Sequence, residues 1–167
     1  GIHTVKIVIA KDPNLYKQAL FEVLPSEELS LTVTLNKKEI TAGEELVITM
    51  VLEDVYGNAV KKNLIIQIGD LKDTCTVGPD PVKYKTILTK AGNYNLIIKY
   101  EGKTLYSDVI VVKPSAPTKI ASPRNITFEA GEVREVVVRV YDEYDNPVPQ
   151  TKIYAITTSE APMPYNY

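Results

Sequence analysis

The sequence has no tryptophan, one histidine and one cysteine among 167 residues. Each shortage removes a class of answer. A lone cysteine, Cys75, forbids an intrachain disulfide, so a disulfide-stapled scaffold is excluded and stability must come from core packing. Its setting, Asp73-Thr74-Cys75-Thr76-Val77, reads as strand, and the thiol reads as a small hydrophobe rather than a reactive group. The single histidine, His3, lies on a strand-like run, so a Ser-His-Asp or Cys-His constellation has little to assemble from. Zinc-ligand spacing is missing, as is a glycine-rich phosphate loop between strand and helix. The chain therefore reads as non-enzymatic and without a cofactor. Apolar runs stay far below the ~20 residues a membrane helix needs, and no Lys-then-apolar targeting signal is visible. Charge is balanced, 19 Lys and Arg against 21 Asp and Glu, and no basic cluster offers phosphate contacts, so nucleic acid is not an expected partner.

Helical periodicity is nearly absent. Leu15 to Phe21 is the one stretch that can be argued as a helical turn, and it lacks caps and length. What is present is β-branched and aromatic: Val, Ile and Thr, with 11 Tyr against 2 Phe. The 11 Pro and 8 Gly fall mostly between apolar runs, where they punctuate turns. Expected strands run over Thr4 to Ala10, Ala19 to Leu24, Leu29 to Leu35, Glu45 to Glu53, Asn63 to Ile68, Val82 to Thr89, Tyr94 to Tyr100 and Tyr106 to Lys113. Further on they run over Lys119 to Ala121, Ile126 to Phe128, Val133 to Tyr141 and Lys152 to Thr158. Leu29 to Leu35 alternates apolar and polar residues, the period of a half-buried strand. Short strands separated by frequent turns predict an all-β sandwich or barrel.

The chain repeats itself. Ala42-Gly43-Glu44 recurs as Ala130-Gly131-Glu132, and Asp54-Val55-Tyr56-Gly57-Asn58-Ala59-Val60 recurs as Asp142-Glu143-Tyr144-Asp145-Asn146-Pro147-Val148, both 88 positions on. Ile65 and Ile68 return as Ile153 and Ile156 at the same offset. In the other direction, the run from Gly92 to Ile98 matches Gly1 to Ile7, and Val109 to Pro114 matches Leu20 to Pro25. Residues 1–25 thus read as the last two strands of one repeat, 26–114 as a whole repeat, and 115–167 as the first half of a third. The repeat is too long for a solenoid unit and suits an immunoglobulin-type sandwich. Proline in the linkers Pro25-Ser26 and Pro114-Ser115-Ala116-Pro117 limits swing between neighbours.

The apolar strand followed by Asp54…Gly57-Asn58-Ala59-Val60, repeated as Asp142…Asp145-Asn146-Pro147-Val148, resembles the bacterial immunoglobulin-like repeats of the invasin and intimin type. Ala91-Gly92-Asn93-Tyr94 is similar to the Ala-Gly-x-Tyr lead-in of filamin-type sandwiches, and comparable repeats build prokaryotic surface layers and filaments. Two positions depart from the pattern: Asp145 replaces the turn glycine and His3 replaces the corner tyrosine. The resemblance implies immunoglobulin-like β-sandwich repeats, one complete and two partial, at an extracellular or cell-surface location.

Three places carry candidate chemistry. Asp142, Glu143 and Asp145 put carboxylates into one loop, which suits Ca²⁺; the same letters also suit a polar turn held by its own hydrogen bonds. Asn125-Ile126-Thr127 is an N-glycosylation sequon. Tyr84, Tyr94, Tyr100 and Tyr106 read either as a carbohydrate platform or as half-buried strand residues.

Neither terminal segment has enough strands to bury its own apolar face. The chain is then either a piece of a longer array, the preferred expectation, or a protomer whose C-terminal half-sandwich accepts the N-terminal strands of the next copy. The expected function is a structural module of a surface layer, stalk or filament, with neighbouring copies or adjacent immunoglobulin-like domains as partners. Alternatives are an adhesin and an accessory domain of a secreted hydrolase.

Overall fold

A computed structural model describes residues 1–9, 11–127, 129, 131, 133, 135–149 and 151–153. Among these residues the chain is all-β, with no helix. It divides into two compact units at Lys113/Pro114.

The first unit begins with a hairpin of β1 (Ile2–Ile9) and β2 (Asp12–Glu22), antiparallel throughout. Leu15 to Phe21 is therefore strand, not helix. Its alternation is carried by the pairing with β1, which local propensity does not register. Every described side chain of the hairpin is exposed.

Eight strands follow: β3 (Leu29–Leu35), β4 (Glu39–Thr41), β5 (Glu45–Asp54), β6 (Lys62–Ile68), β7 (Leu71–Val77), β8 (Val82–Ile87), β9 (Gly92–Tyr100) and β10 (Lys103–Lys113). They form a three-stranded sheet, β3-β5-β8, and a five-stranded sheet, β4-β10-β9-β6-β7. All pairs are antiparallel except β4 with β10. One face of each sheet is dry. Leu46, Ile48, Met50 and Leu52 on β5 are fully buried, as are Leu64, Ile66, Ile68, Leu96, Ile98 and Ile110 on the larger sheet. Two dry faces bury each other, which makes residues 29–113 sandwich-like. Strict alternation fixes the register, because a slip of one residue turns the whole apolar set to water.

Two corners lock the packing. The Tyr94 hydroxyl donates 2.8 Å to the Lys90 carbonyl, closing the lead-in to β9. Gly69 opens the two-residue turn between β6 and β7 with a φ of 57°, and a Cβ built there falls 2.9 Å from the Tyr94 ring. Only glycine fits both the left-handed backbone and the ring.

Among the described residues the second unit carries one strand pair, β11 (Lys119–Ala121) with β12 (Arg139–Tyr141). Ile120 faces Val140 as Leu31 faces Leu52 in the first unit. An isolated bridge from Tyr141 to Pro147 repeats the one from Glu53 to Ala59. Among its described residues, which leave out Arg134, the strand expected over Val133 to Tyr141 is regular only at Arg139–Tyr141, and Ile126 and Thr127 are not in a strand. Phe128, most of the strand expected from Lys152 to Thr158, and the repeat positions Ala130, Glu132 and Ile156 lie outside the described residues, as does Ala10 at the end of the first expected strand.

Candidate functional site

The repeated acidic loop is the most organised polar feature of both units. In the first, β5 ends on Asp54, whose side chain is buried at 1 % exposure. A buried carboxylate has to be satisfied, and this one accepts N–H donors on both oxygens. Oδ1 takes the backbone N–H of Tyr56 at 2.9 Å and of Asn58 at 2.7 Å. Oδ2 takes the Asn58 side-chain amide at 2.8 Å and the Ser26 backbone N–H at 2.8 Å. The Ser26 bond reaches 28 residues back along the chain into the Pro25-Ser26 linker.

The second loop is the same object. Asp142, at 0 % exposure, accepts Tyr144 N–H at 2.9 Å, Asn146 N–H at 2.8 Å and the Asn146 amide at 2.9 Å. Its fourth donor is the Ser115 backbone N–H at 2.8 Å, again in a Pro-Ser linker. The backbone matches as well. The Asp142 N–H donates to the Asn146 carbonyl at 3.0 Å as the Asp54 N–H does to the Asn58 carbonyl at 3.0 Å. Asp145 takes a φ of 64° where Gly57 takes 79°, so the missing turn glycine is replaced by a residue that tolerates the left-handed region.

Burial works to raise both carboxyls, and the N–H donors from the asparagine side chain, the linker serine and the loop backbone outweigh it. Asp54 and Asp142 are each held at about 2, below the ordinary 3.8. They are ionised, and each acts as a four-donor clasp joining a turn to the linker that precedes it.

In this geometry the loop's oxygens are engaged within the protein, as in a polar turn held by its own hydrogen bonds. Both Asp142 oxygens are occupied by N–H donors, and Asp145 pairs with Lys119 Nζ at 2.6 Å. Glu143 is exposed, and its backbone carbonyl accepts Lys119 Nζ at 3.3 Å. Among the described residues no group of three or more His, Cys, Asp or Glu side chains is placed to hold a metal ion.

The other candidates are dispersed. Asn125 is exposed in an irregular segment after β11. Tyr84 lies on the three-stranded sheet, while Tyr94, Tyr100 and Tyr106 lie on the five-stranded one, all half-buried, so the four do not form one platform. Tyr106 donates 2.9 Å to Asp108. Asp108 also pairs with Lys38 at 2.6 Å, which with the Val109 N–H holds its carboxyl at about 2. Cys75 is half-buried on β7, and burial, with Asp73 nearby, pushes its thiol pKa up, which disfavours thiolate chemistry. His3 on β1 stacks on Phe21 at 5.4 Å between ring centroids.

No protein-family model matches the chain, and no curated protein is significantly similar to it. Among the described residues no helix is long and apolar enough to cross a membrane.

Proposed function

We propose that the chain is a non-enzymatic structural module of an extracellular surface layer, stalk or filament, built from tandem immunoglobulin-like domains. The observation that carries this reading is the paired clasp. Two Pro-Ser linkers, 89 residues apart at Ser26 and Ser115, are each pinned through a serine N–H to a buried aspartate in the domain that follows. A linker held at its exit by a charge-assisted hydrogen bond and stiffened by proline transmits orientation from one domain to the next. A rod or array needs that property, and an isolated soluble domain does not.

The strand order supports the immunoglobulin-like assignment. With β3, β5, β6, β8, β9 and β10 taken as strands A, B, C, E, F and G, one sheet is A-B-E. The other is G-F-C, flanked by β4 and β7. The Tyr94-to-Lys90 bond stands where such sandwiches carry their tyrosine corner.

Antibody raised against residues 26–114, used as an immunogold label on intact and on lysed source cells, tests the reading. Dense surface or filament labelling of intact cells is the expected result. Label restricted to the interior of lysed cells would overturn it.

A further inference from the structure

The two sheets of residues 29–113 have four edges: β3 and β8 in one sheet, β4 and β7 in the other. An unpaired edge is a template for another strand, and folded chains blunt it with charge or brevity. Three of these edges are blunted. β8 exposes Lys83 and Lys85, β7 exposes Lys72 and Asp73, and β4 is three residues long with Glu39 exposed. β3 is not blunted. Leu29-Ser30-Leu31-Thr32-Val33-Thr34-Leu35 holds no charge, no proline and no glycine over its seven residues.

This edge is open along its length. Just beyond the ends of the β3–β5 ladder, Asn36 N–H donates to the Val47 carbonyl at 3.0 Å and Val55 N–H to the Glu28 carbonyl at 3.0 Å. Bonded pairs recur at every second residue, so Ser30, Thr32 and Thr34 direct their backbone groups to β5. The N–H and C=O groups of Leu29, Leu31, Val33 and Leu35 point the other way, and among the described residues no strand takes them. The side chains of these four lie on the core face and are only half-buried, while Ser30, Thr32 and Thr34 are exposed.

The strand is also nearly palindromic. Antiparallel pairing with a second β3 about a two-fold axis at Thr32 sets Leu29 against Leu35, Leu31 against Val33, Ser30 against Thr34 and Thr32 against itself. Every outward N–H then meets an outward C=O, apolar side chains meet on the core face, and hydroxyls meet on the outer face. Past the strand, exposed Glu27 comes opposite exposed Lys37 of the other copy, once at each end. An axis at Leu31 or at Val33 keeps the bonding parity but sets Glu27 against Leu35, or Lys37 against Leu29.

We propose that β3 is a docking edge at which two copies of this chain join antiparallel, merging two three-stranded sheets into one. The same strand serves both partners, so each edge closes the other and assembly stops at the dimer. The inference needs only the sheets of residues 29–113. It goes beyond the surface-module reading by naming partner, strand and register.

The test uses the full chain in a Cys75→Ser background, so that each variant carries one thiol. Thr32→Cys sits on the axis, where the facing Cα atoms of a non-hydrogen-bonded antiparallel pair lie about 4.5 Å apart, within disulfide reach. Ser30 is also exposed, but it faces Thr34 of the other copy and not itself. Under mild oxidation Thr32→Cys should give several-fold more disulfide dimer than Ser30→Cys. Equal yields would overturn the register. Light scattering on the parent chain reads the assembly. Its mass should rise with concentration from 18.6 kDa towards twice that value and stop there. Thr32→Lys sets two ammonium groups against each other across the axis, and it should weaken the dimer at least several-fold while the far-UV circular dichroism stays unchanged. A parent monomeric at every concentration, a mass that climbs past the dimer, or a dimer indifferent to Thr32→Lys would reject the docking. None of these outcomes touches the surface-labelling result, so the two readings fail separately.

Discussion

The two hairpins, β1–β2 and β9–β10, share a register and differ in burial. Ile98 on β9 is 0 % exposed, and Ile7, the same residue at the matching position of β1, is 65 % exposed. The same pairing register is therefore held with a buried face in one hairpin and with an exposed one in the other. The β1–β2 hairpin adds local support of its own: Lys6 Nζ sits 3.9 Å from the centroid of the Tyr16 ring.

The largest expected effect breaks this comparison directly. Ile98→Ala removes methyl groups from a closed core and should cost about 2–5 kcal/mol of unfolding free energy. Ile7→Ala in dilute solution should stay within about 0.5 kcal/mol, because the side chain is already in water. Chemical denaturation of both variants, followed by far-UV circular dichroism, measures the pair. Equal losses would mean that the N-terminal hairpin is buried in solution, and that the contrast between the two hairpins is false.

A smaller effect is expected at the turn between β6 and β7. Gly69→Ala forces a side chain into a left-handed position against the Tyr94 ring and should destabilise the central sandwich by about 1–3 kcal/mol. Replacing Tyr94 by Leu as well removes the ring that blocks the Cβ. The double variant should therefore lose less than the sum of the two singles. Strict additivity in a double-mutant cycle would show that backbone strain alone, not the ring, makes Gly69 necessary.

How far these features could be read from the letters depends on where their signal lies. Leu29–Leu35 and Lys119–Ala121 are legible to the residue, the first through its strict alternation. The strand β4 is not, and β7 is legible only in part, as the strand-like setting of Cys75 from Asp73 to Val77. Glu39–Thr41 is three residues long, and Leu71–Val77 is an edge strand carrying Lys72, Asp73, Thr74 and Thr76, so neither has an apolar rhythm to find. Edge strands are kept polar because unpaired edges invite aggregation, which erases the pattern that marks central strands. The acidic loops show the same limit at the site. Repetition located them, but carboxylates in one loop read as metal ligands as easily as clasps. What the letters do not carry is the backbone N–H of Ser26 and Ser115, since a backbone donor has no letter of its own.

The two clasps offer the finest comparison, one in each unit. Asp54 and Asp142 are each held near 2 when folded, against roughly 3.9 for a free aspartate. Between those values the unfolded chain binds more protons than the folded one, so stability rises with pH across the window. The clasp contribution is complete above about pH 4, falls as pH drops towards about 2, and is gone below that. Asp108, held down by Lys38, titrates in the same window, so Asp54→Asn should flatten the acid limb of the melting profile only in part. Carboxyl carbon chemical shifts resolve the residues one by one. Both clasp carboxyls should titrate with midpoints near 2. An Asp142 midpoint near 4 beside an Asp54 midpoint near 2 would show that the second clasp does not hold in solution, and that the loop is not autonomous as its matching hydrogen bonds imply.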